Sequence, residues 1–299
     1  MNPSGARAEG VLLRTYADCV PCFFHQALEA ARRSSDDPAV HERVLRSVAA
    51  AVSTMDLSKT PPEMGRTIHR VIRDISGEAD PYREVKERFN NLALGHLPVL
   101  RRLVAESDAP FDTAVRLAIA GNIIDFGGAR TVGEDDLIRS MRASLEAPIW
   151  GAAIEELLSA VEVASSILYV GDNAGEIVFD HVLIEQMPLE RVTFAVRGAP
   201  ILNDVTREDA VAVGLADVVR VVENGSDAPG TILTDCDPGF VRCFRESDLV
   251  VAKGQGNYET LSGEPGRIFF LLQVKCAVIA RDLGCDVGEF VVREGGRRS

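Results

Sequence analysis

Ser166-Ile-Leu-Tyr-Val170-Gly171-Asp172-Asn173-Ala-Gly-Glu176-Ile-Val-Phe179 joins one apolar run to another through an acidic, glycine-bearing turn. The first run, 166–170, has the length of a buried strand, and the second starts a helix near Ala174. In an open α/β sheet, ligands bind outside the carboxyl ends of the strands. Asp172 and Asn173 project from such an end, and two hard oxygen donors side by side suit a divalent cation.

Beyond Glu162 the same pattern recurs. Short β-branched runs at 167–170, 192–196, 218–222 and 249–252 alternate with helical or glycine-bearing stretches, the pattern of a parallel sheet with crossover helices. A further apolar run, 268–274, fits strand or helix by periodicity alone and leads into 275–283. Before this region, from Cys19 to about Trp150, apolar residues recur at helical spacing, as in Phe23, Ala27, Leu28 and Ala31. Clusters at 34–38, 60–62 and 77–81, together with Pro110, break that region into separate helices. The chain therefore divides into a helical domain over 1–155 and an α/β domain over 156–299 that carries the acidic turn.

The chain has 299 residues, enough for one large domain or two modest ones. Its net charge of -13 disfavours phosphate polymers, so nucleic acid is not an expected partner; a small anionic substrate fits if the site supplies its own cation. No apolar run reaches the ~20 residues that span a bilayer, no membrane partner is expected, and the amino terminus lacks a signal pattern. These features read as a cytoplasmic protein. Six cysteines are too sparse for a disulfide scaffold, so reduced thiols are the default. Nothing in the sequence sets an oligomeric state.

Three strand ends carry polar residues of one kind. The first gives Asp172 and Asn173, the second leads through Arg197 to Asn203 and Asp204, and the third gives Lys253-Gly-Gln-Gly-Asn257. Two carboxylates and an amide can hold Mg²⁺ or Mn²⁺ with positions left open for water and a phosphate oxygen. Lys253 is a candidate counter-charge, Arg197 a second cation, and Gly254 and Gly256 let backbone N–H groups approach an anion. Each turn also has a plainer explanation. Asn173 with Glu176 three residues later is a capping-box pattern, and Asn203 or Asp204 can cap the helix that follows. The coincidence of all three on one edge favours a shared site.

Other motifs are more ambiguous. Asn122 and Asp125 follow an apolar helix and precede paired glycines, which fits either a helix stop or binding of substrate hydroxyls. Cys19-Val-Pro-Cys22 spaces two thiols as metal and redox sites do, with packing the simplest reading; a zinc site would need a distant ligand such as Cys276. Lys86 and Asn90 share a helix face after Asp80-Pro-Tyr82. Gly225-Ser-Asp-Ala-Pro-Gly230 reads as a loop on the same sheet edge.

Taken together, Cys19-Val-Pro-Cys22, Asp80-Pro-Tyr82 with Lys86 and Asn90, Gly121-Asn-Ile-Ile-Asp125, Gly171-Asp-Asn-Ala-Gly-Glu176, Leu202-Asn-Asp204-Val-Thr, Gly225 to Gly230 and Lys253-Gly-Gln-Gly-Asn-Tyr258 resemble the metal-dependent damage-control phosphatases, long catalogued as a domain of unknown function. The resemblance runs from about residue 16 to 293, and the CxxC start is similar to the prokaryotic branch. It implies a Rossmann-like three-layer α/β domain with a mostly parallel sheet, an added helical portion, and an active site between them. It further implies Asp172, Asn173 and Asp204 as metal ligands, with Lys253 and Asn122 contacting phosphate or substrate. Asp125 and Asn257 belong to the matching motifs and join the substrate-binding candidates. The implied activity is hydrolysis of small phosphate esters, often sugar phosphates, with Mg²⁺, Mn²⁺, Co²⁺ or Ni²⁺.

On this reading Asp172, Asp204 and Lys253 carry the chemistry. The nucleophile is water or the Asp172 carboxylate, and Asp204 or Glu176 accepts the proton. Two alternatives stand beside it. An S-adenosylmethionine-dependent carboxyl methyltransferase suits a Rossmann-like half, but an acidic pair sits where a nucleotide binder carries its glycine-rich loop. A non-enzymatic metal or thiol-redox module would instead be built on Cys19 and Cys22.

Overall fold

A computed structural model of the chain describes residues 13–121, 141, 144–152 and 154–295. Five helices come first: α1 (Val20–Ser34), α2 (Pro38–Ser53), α3 (Pro61–Ser76), α4 (Arg83–Ala105) and α5 (Pro110–Ala120). Proline stands in the first turn of α1, α2, α3 and α5, where its missing N–H costs nothing. Thr60 and Glu63 form a reciprocal capping box on α3, and Gly77 ends that helix in the left-handed conformation. The sequence breaks are therefore real helix boundaries.

Then come β1 (Ile149–Gly151), α6 (Ile154–Val163), β2 (Ile167–Val170), α7 (Glu176–Ile184), β3 (Val192–Val196), α8 (Arg207–Ala212) and β4 (Arg220–Glu223). The chain continues through α9 (Pro238–Glu246), β5 (Leu249–Lys253), α10 (Gly254–Leu261), β6 (Ile268–Gln273), α11 (Ala277–Leu283) and β7 (Phe290–Gly295). The strands form one sheet in the order β1-β7-β6-β5-β2-β3-β4. All pairings are parallel except β6 with β7. The chain runs outward from β2 to β4 and then resumes on the other side of β2 at β5, so β2 and β5 flank the switch point where such sheets bind ligands.

Both faces of the sheet are covered, which is why its strands read as continuous apolar runs rather than alternations. Tyr169, Phe194, Val251 and Phe269 face one core together with α4, α5 and α7; Leu168, Val170, Val250 and Phe270 face the other with Phe240, Leu261 and Ile279. This is the three-layer α/β arrangement. Helices α1 to α3 keep a smaller core of their own around Phe23, Val44, Ile68 and Ile72. The division drawn at residue 155 marks a change of periodicity, whereas the packing changes earlier. Helices α4 and α5 are one layer of the sandwich, and β1 pairs with β7 in the sheet.

Two strands lie outside the sequence expectations. β1 has only three residues, and in β7 the apolar residues give way to Arg293 and Glu294 near the edge, so neither gives a strong pattern. The run at 268–274 resolves as a strand, and the helix after Asp172 begins at Glu176 instead of Ala174. Its start is delayed because residues 172–174 pair in an extended conformation with 203–205: the Val205 N–H donates to the Asp172 carbonyl at 2.8 Å and the Ala174 N–H to the Asn203 carbonyl at 2.8 Å.

Helix α4 reaches this turn through one side chain. Asn90, buried, accepts the Gly175 N–H at 2.7 Å and donates to Asp209 Oδ1 at 2.8 Å. Lys86, one turn earlier, pairs with Asp80 at 2.9 Å and lies 3.7 Å from Asp209. The shared face of Lys86 and Asn90 is thus the clamp between the helical layer and the acidic turn. Asn90→Ala strands a buried N–H and a carboxylate oxygen, and should lower unfolding free energy by about 1–3 kcal/mol in denaturant titration. An unchanged midpoint would mean that α4 is held by its apolar contacts alone.

Candidate active site

The β2–α7 turn holds the first two ligand candidates. Asp172 is buried, and Asn173 stands opposite Asp204 in an isolated antiparallel bridge, so the three residues meet. The capping explanations do not describe these turns. The N-cap of α7 is Gly175, with no side-chain cap, and α8 is capped by Thr206 in a capping box with Asp209. Asp204 is therefore not used as a cap. Leu202, just before Asn203 and Asp204, holds a φ of 47°, a left-handed conformation that a leucine seldom adopts.

Behind the acidic pair lies Arg197, 1% exposed. Its Nε donates to Asp204 Oδ2 at 2.7 Å, Nη1 donates to Thr231 and Asn257, and Nη2 lies 3.8 Å from Asp172 Oδ1 with no hydrogen-bond acceptor of its own. One guanidinium thus serves both carboxylates. Burial, then Glu176 and Asp204, push the Asp172 carboxyl up to about 7. Burial likewise raises Asp204, although Arg197 opposes it. Removed from water, the carboxylates are under-compensated by the chain's own cations. The Asn173 amide nitrogen donates to Asp172 at 2.7 Å and to Glu176 at 3.0 Å, leaving the amide oxygen as its acceptor. Two carboxylates with excess negative charge and an amide oxygen form a hard-oxygen donor set that fits Mg²⁺ or Mn²⁺.

Lys253 is placed differently from its expected role. It is fully buried, and its ammonium donates to the Ala118 carbonyl at 2.8 Å, Glu176 Oε1 at 2.6 Å and Asp180 Oδ1 at 2.6 Å. Burial opposes its charge, but the two carboxylates hold its pKa above the usual lysine range. All three ammonium protons are committed inside the protein, so no donor remains for a ligand in the cleft. Asn257 is equally occupied: it accepts from Arg197 and Thr231 and donates to the Gly171 and Lys253 carbonyls. It braces the site from behind. Asn122 and Asp125 lie outside the described residues.

Sequence reasoning missed Asp180 and Tyr169, whose hydroxyl donates to Asp180 at 2.7 Å. A signal existed, because Asp180 interrupts the wholly buried helix α7 and an ionisable group in such a place needs a partner.

The acidic edge opens into a cleft of about 970 Å³ between the sheet and the α1–α3 unit, walled also by Phe23, Tyr82, Phe89 and Lys275. The loop 225–230 anchors this unit through Asp227, which pairs with Arg70 and Arg73. Cys19, Cys22 and Cys276 line the same cleft as free thiols, and burial raises the Cys19 pKa. Among the described residues no group of three or more His, Cys, Asp or Glu side chains is arranged to hold a metal. The Asp172, Asn173 and Asp204 set has only two such members and differs in kind. No helix among the described residues is long and apolar enough to cross a membrane.

Comparison with known proteins gives a consistent result. Residues 15–291 match the family model described as the damage-control phosphatase ARMT1-like domain. An Archaeoglobus fulgidus protein named damage-control phosphatase is 35% identical over 92% of this chain and 97% of its own length. A Methanocaldococcus jannaschii protein named uncharacterized protein MJ0202 is 33% identical over 95% of this chain and 96% of its own. The crystal structure of a DUF89 family protein from Pyrococcus horikoshii superposes with a TM-score of 0.88 at 30% identity, covering 95% of this chain and 99% of that one.

Two outcomes follow from the geometry. A cation held by Asp172 would displace the proton that the carboxyl keeps below about pH 7, so Mn²⁺ affinity should rise with pH to about 7 and level above it, with proton release at pH 5.5 and little at pH 8, measured by calorimetry in buffers of different ionisation enthalpy. A pH-independent affinity would contradict the electrostatics. Gly254 has φ +79°, and a β-carbon there would run into the Asp172 carboxylate. Gly254→Ala should therefore weaken Mn²⁺ binding by about 10–100-fold, whereas native affinity would show that the carboxylate moves freely.

Proposed function

The chain belongs to the damage-control phosphatase ARMT1-like family, and from that membership we propose that it hydrolyses phosphomonoesters of small metabolites, sugar phosphates among them, with a divalent cation held by Asp172, Asn173 and Asp204. Mg²⁺ or Mn²⁺ suits the oxygen donors best, and Co²⁺ or Ni²⁺ are alternatives. The observation that carries the metal assignment is the pair of buried carboxylates that Arg197 only partly neutralises.

When bound, the cation supplies Lewis-acid neutralisation of the phosphoryl oxygens. The chain's own residues do the positioning. Arg197 fixes the Asp204 carboxylate through Nε and stands beside Asp172, so both are oriented before substrate arrives. Asn173 bridges Asp172 and Glu176 and aligns the turn. Glu176 accepts from Lys253 with one oxygen and from Asn173 with the other, whereas Asp204 commits one oxygen to Arg197. Asp204 is therefore the better placed of the two to accept a proton. Lys253 pairs with both carboxylates of α7 beneath the site and offsets part of their charge. The apolar wall of Phe23, Tyr82 and Phe89 faces the organic part of the substrate and limits water in the cleft.

A panel of phosphorylated metabolites assayed with several divalent ions tests the proposal. The wild-type protein should release phosphate only with a cation present. Asp172→Asn should lower that release by at least about 100-fold while leaving the fold intact by circular dichroism. Equal turnover by the two proteins, or release in chelator, would overturn the metal assignment.

A further inference from the structure

One cluster of reactive side chains in the cleft takes no part in holding the cation. Cys19, Cys22 and Cys276 line it as free thiols, together with Gln255 and Glu259. Helix geometry fixes the first two. Cys19 is the N-cap of α1 in a right-handed helical conformation (φ -79°, ψ -23°), and Cys22 follows in the first turn. Residues three apart on a helix share a face with β-carbons ~5–6 Å apart, and a disulfide closes between α-carbons about 4.4–6.8 Å apart. A small adjustment of that one turn therefore joins the two sulfurs.

Exposure separates their roles. Cys22 is exposed and open to a reagent, whereas Cys19 is half-buried and packs against both the α1–α3 core and the sheet core around Phe240 and Ile279. Burial raises the Cys19 pKa, one backbone hydrogen bond opposes it, and Glu259, Cys276 and Cys22 add to the rise. This thiol keeps its proton until a base takes it. Glu259, buried on α10, accepts a hydrogen bond from the Gln255 amide at 2.9 Å, and burial pushes its carboxyl up to about 7. A carboxyl of that basicity can accept and return a proton near neutral pH. Cys276 is engaged differently, because its sulfur accepts from the same Gln255 amide nitrogen at 3.6 Å.

We propose that Cys19 and Cys22, with Glu259 as proton acceptor, form a dithiol that peroxides oxidise to a disulfide, and that this disulfide weakens substrate binding in the cleft. The Cys22 thiolate attacks one peroxide oxygen; an S–O bond forms, the O–O bond breaks, and the departing hydroxide takes the proton that Cys22 released. The Cys19 sulfur then attacks Cys22. An S–S bond forms as the S–O bond breaks, and the Cys19 proton passes through Glu259 to the hydroxide that leaves. Two thiols have lost two electrons and hydrogen peroxide has become two waters. Phe23 follows Cys22 directly and forms part of the apolar wall, so drawing Cys22 toward Cys19 shifts that wall. Asp172, Asn173 and Asp204 stand on other elements and stay in place. The effect on substrate rests on the phosphatase reading; the oxidation itself does not.

The test uses Mn²⁺-loaded wild-type, Cys22→Ser, Cys276→Ser and Glu259→Gln proteins, reduced and then treated with hydrogen peroxide. Alkylation and peptide mass spectrometry map the disulfides, and p-nitrophenyl phosphate reads turnover. A Cys19–Cys22 disulfide should form in the wild type and in Cys276→Ser. Oxidation should raise the wild-type KM by about fivefold or more with Mn²⁺ affinity within about twofold, and dithiothreitol should reverse it. Cys22→Ser should keep the KM of its own reduced form after peroxide. Glu259→Gln should close the disulfide more slowly and accumulate Cys22 sulfenic acid, trapped by dimedone; closure at the wild-type rate would remove Glu259 from the step. Absence of the Cys19–Cys22 disulfide, pairing through Cys276 instead, or a disulfide that leaves KM unchanged would overturn the inference. A Cys19–Cys22 disulfide in a protein whose reduced form hydrolyses no phosphate ester would uphold the dithiol and defeat the phosphatase reading.

Discussion

Asp172 and Asp204 are withdrawn from water around a single guanidinium, and the rest of the carboxyl edge is arranged to sustain that unfavourable grouping. Arg197 is one of the largest fully buried side chains in the molecule and reaches both carboxylates, yet one of its nitrogens has no acceptor. Such a site is stable only because its backbone is tied on every side. Residues 172–174 pair with 203–205, Asn90 holds Gly175 from the helical layer, and Asn257 holds the Gly171 carbonyl from α10. The remaining negative charge is what a divalent cation would relieve.

A second charged cluster lies beneath the first and has another purpose. Lys253, Glu176 and Asp180 are all buried, with Tyr169 completing the group. Breaking such a cluster at one member leaves an uncompensated charge, so it behaves as internal structure that fixes α7 against β5. Glu176 belongs to both clusters, through Asn173 above and Lys253 below. The cations that line the cleft are other side chains, Arg33, Lys275 and Arg281.

Much of this was legible in the sequence because it follows from local rules. Proline and glycine clusters gave the boundaries of α1 to α5, and the β-branched runs gave β2, β3 and β5 as strands on one edge. The grouping of Asp172, Asn173 and Asp204 followed from the rule that ligands gather at the carboxyl ends of parallel strands. What stayed hidden was long-range pairing. Lys253 beside two glycines reads as an anion binder because sequence displays a charge without its partner, and Asp180 is 73 residues away. The run at 268–274 fits strand or helix by periodicity alone, so the place of Lys275 at the same edge is not legible before that strand is seen. The layer formed by α4 and α5 was hidden for a similar reason, since periodicity identifies an apolar helix face without saying which core receives it.

The central claim is that two under-compensated buried carboxylates and an amide form the cation site, and diffraction from crystals grown with Mn²⁺ tests it most directly. Anomalous scattering should place one strong peak within coordination distance of Asp172, Asn173 and Asp204. A peak at the cysteines of the cleft instead, or none at the acidic turn at saturating Mn²⁺ and pH 8, would contradict the account.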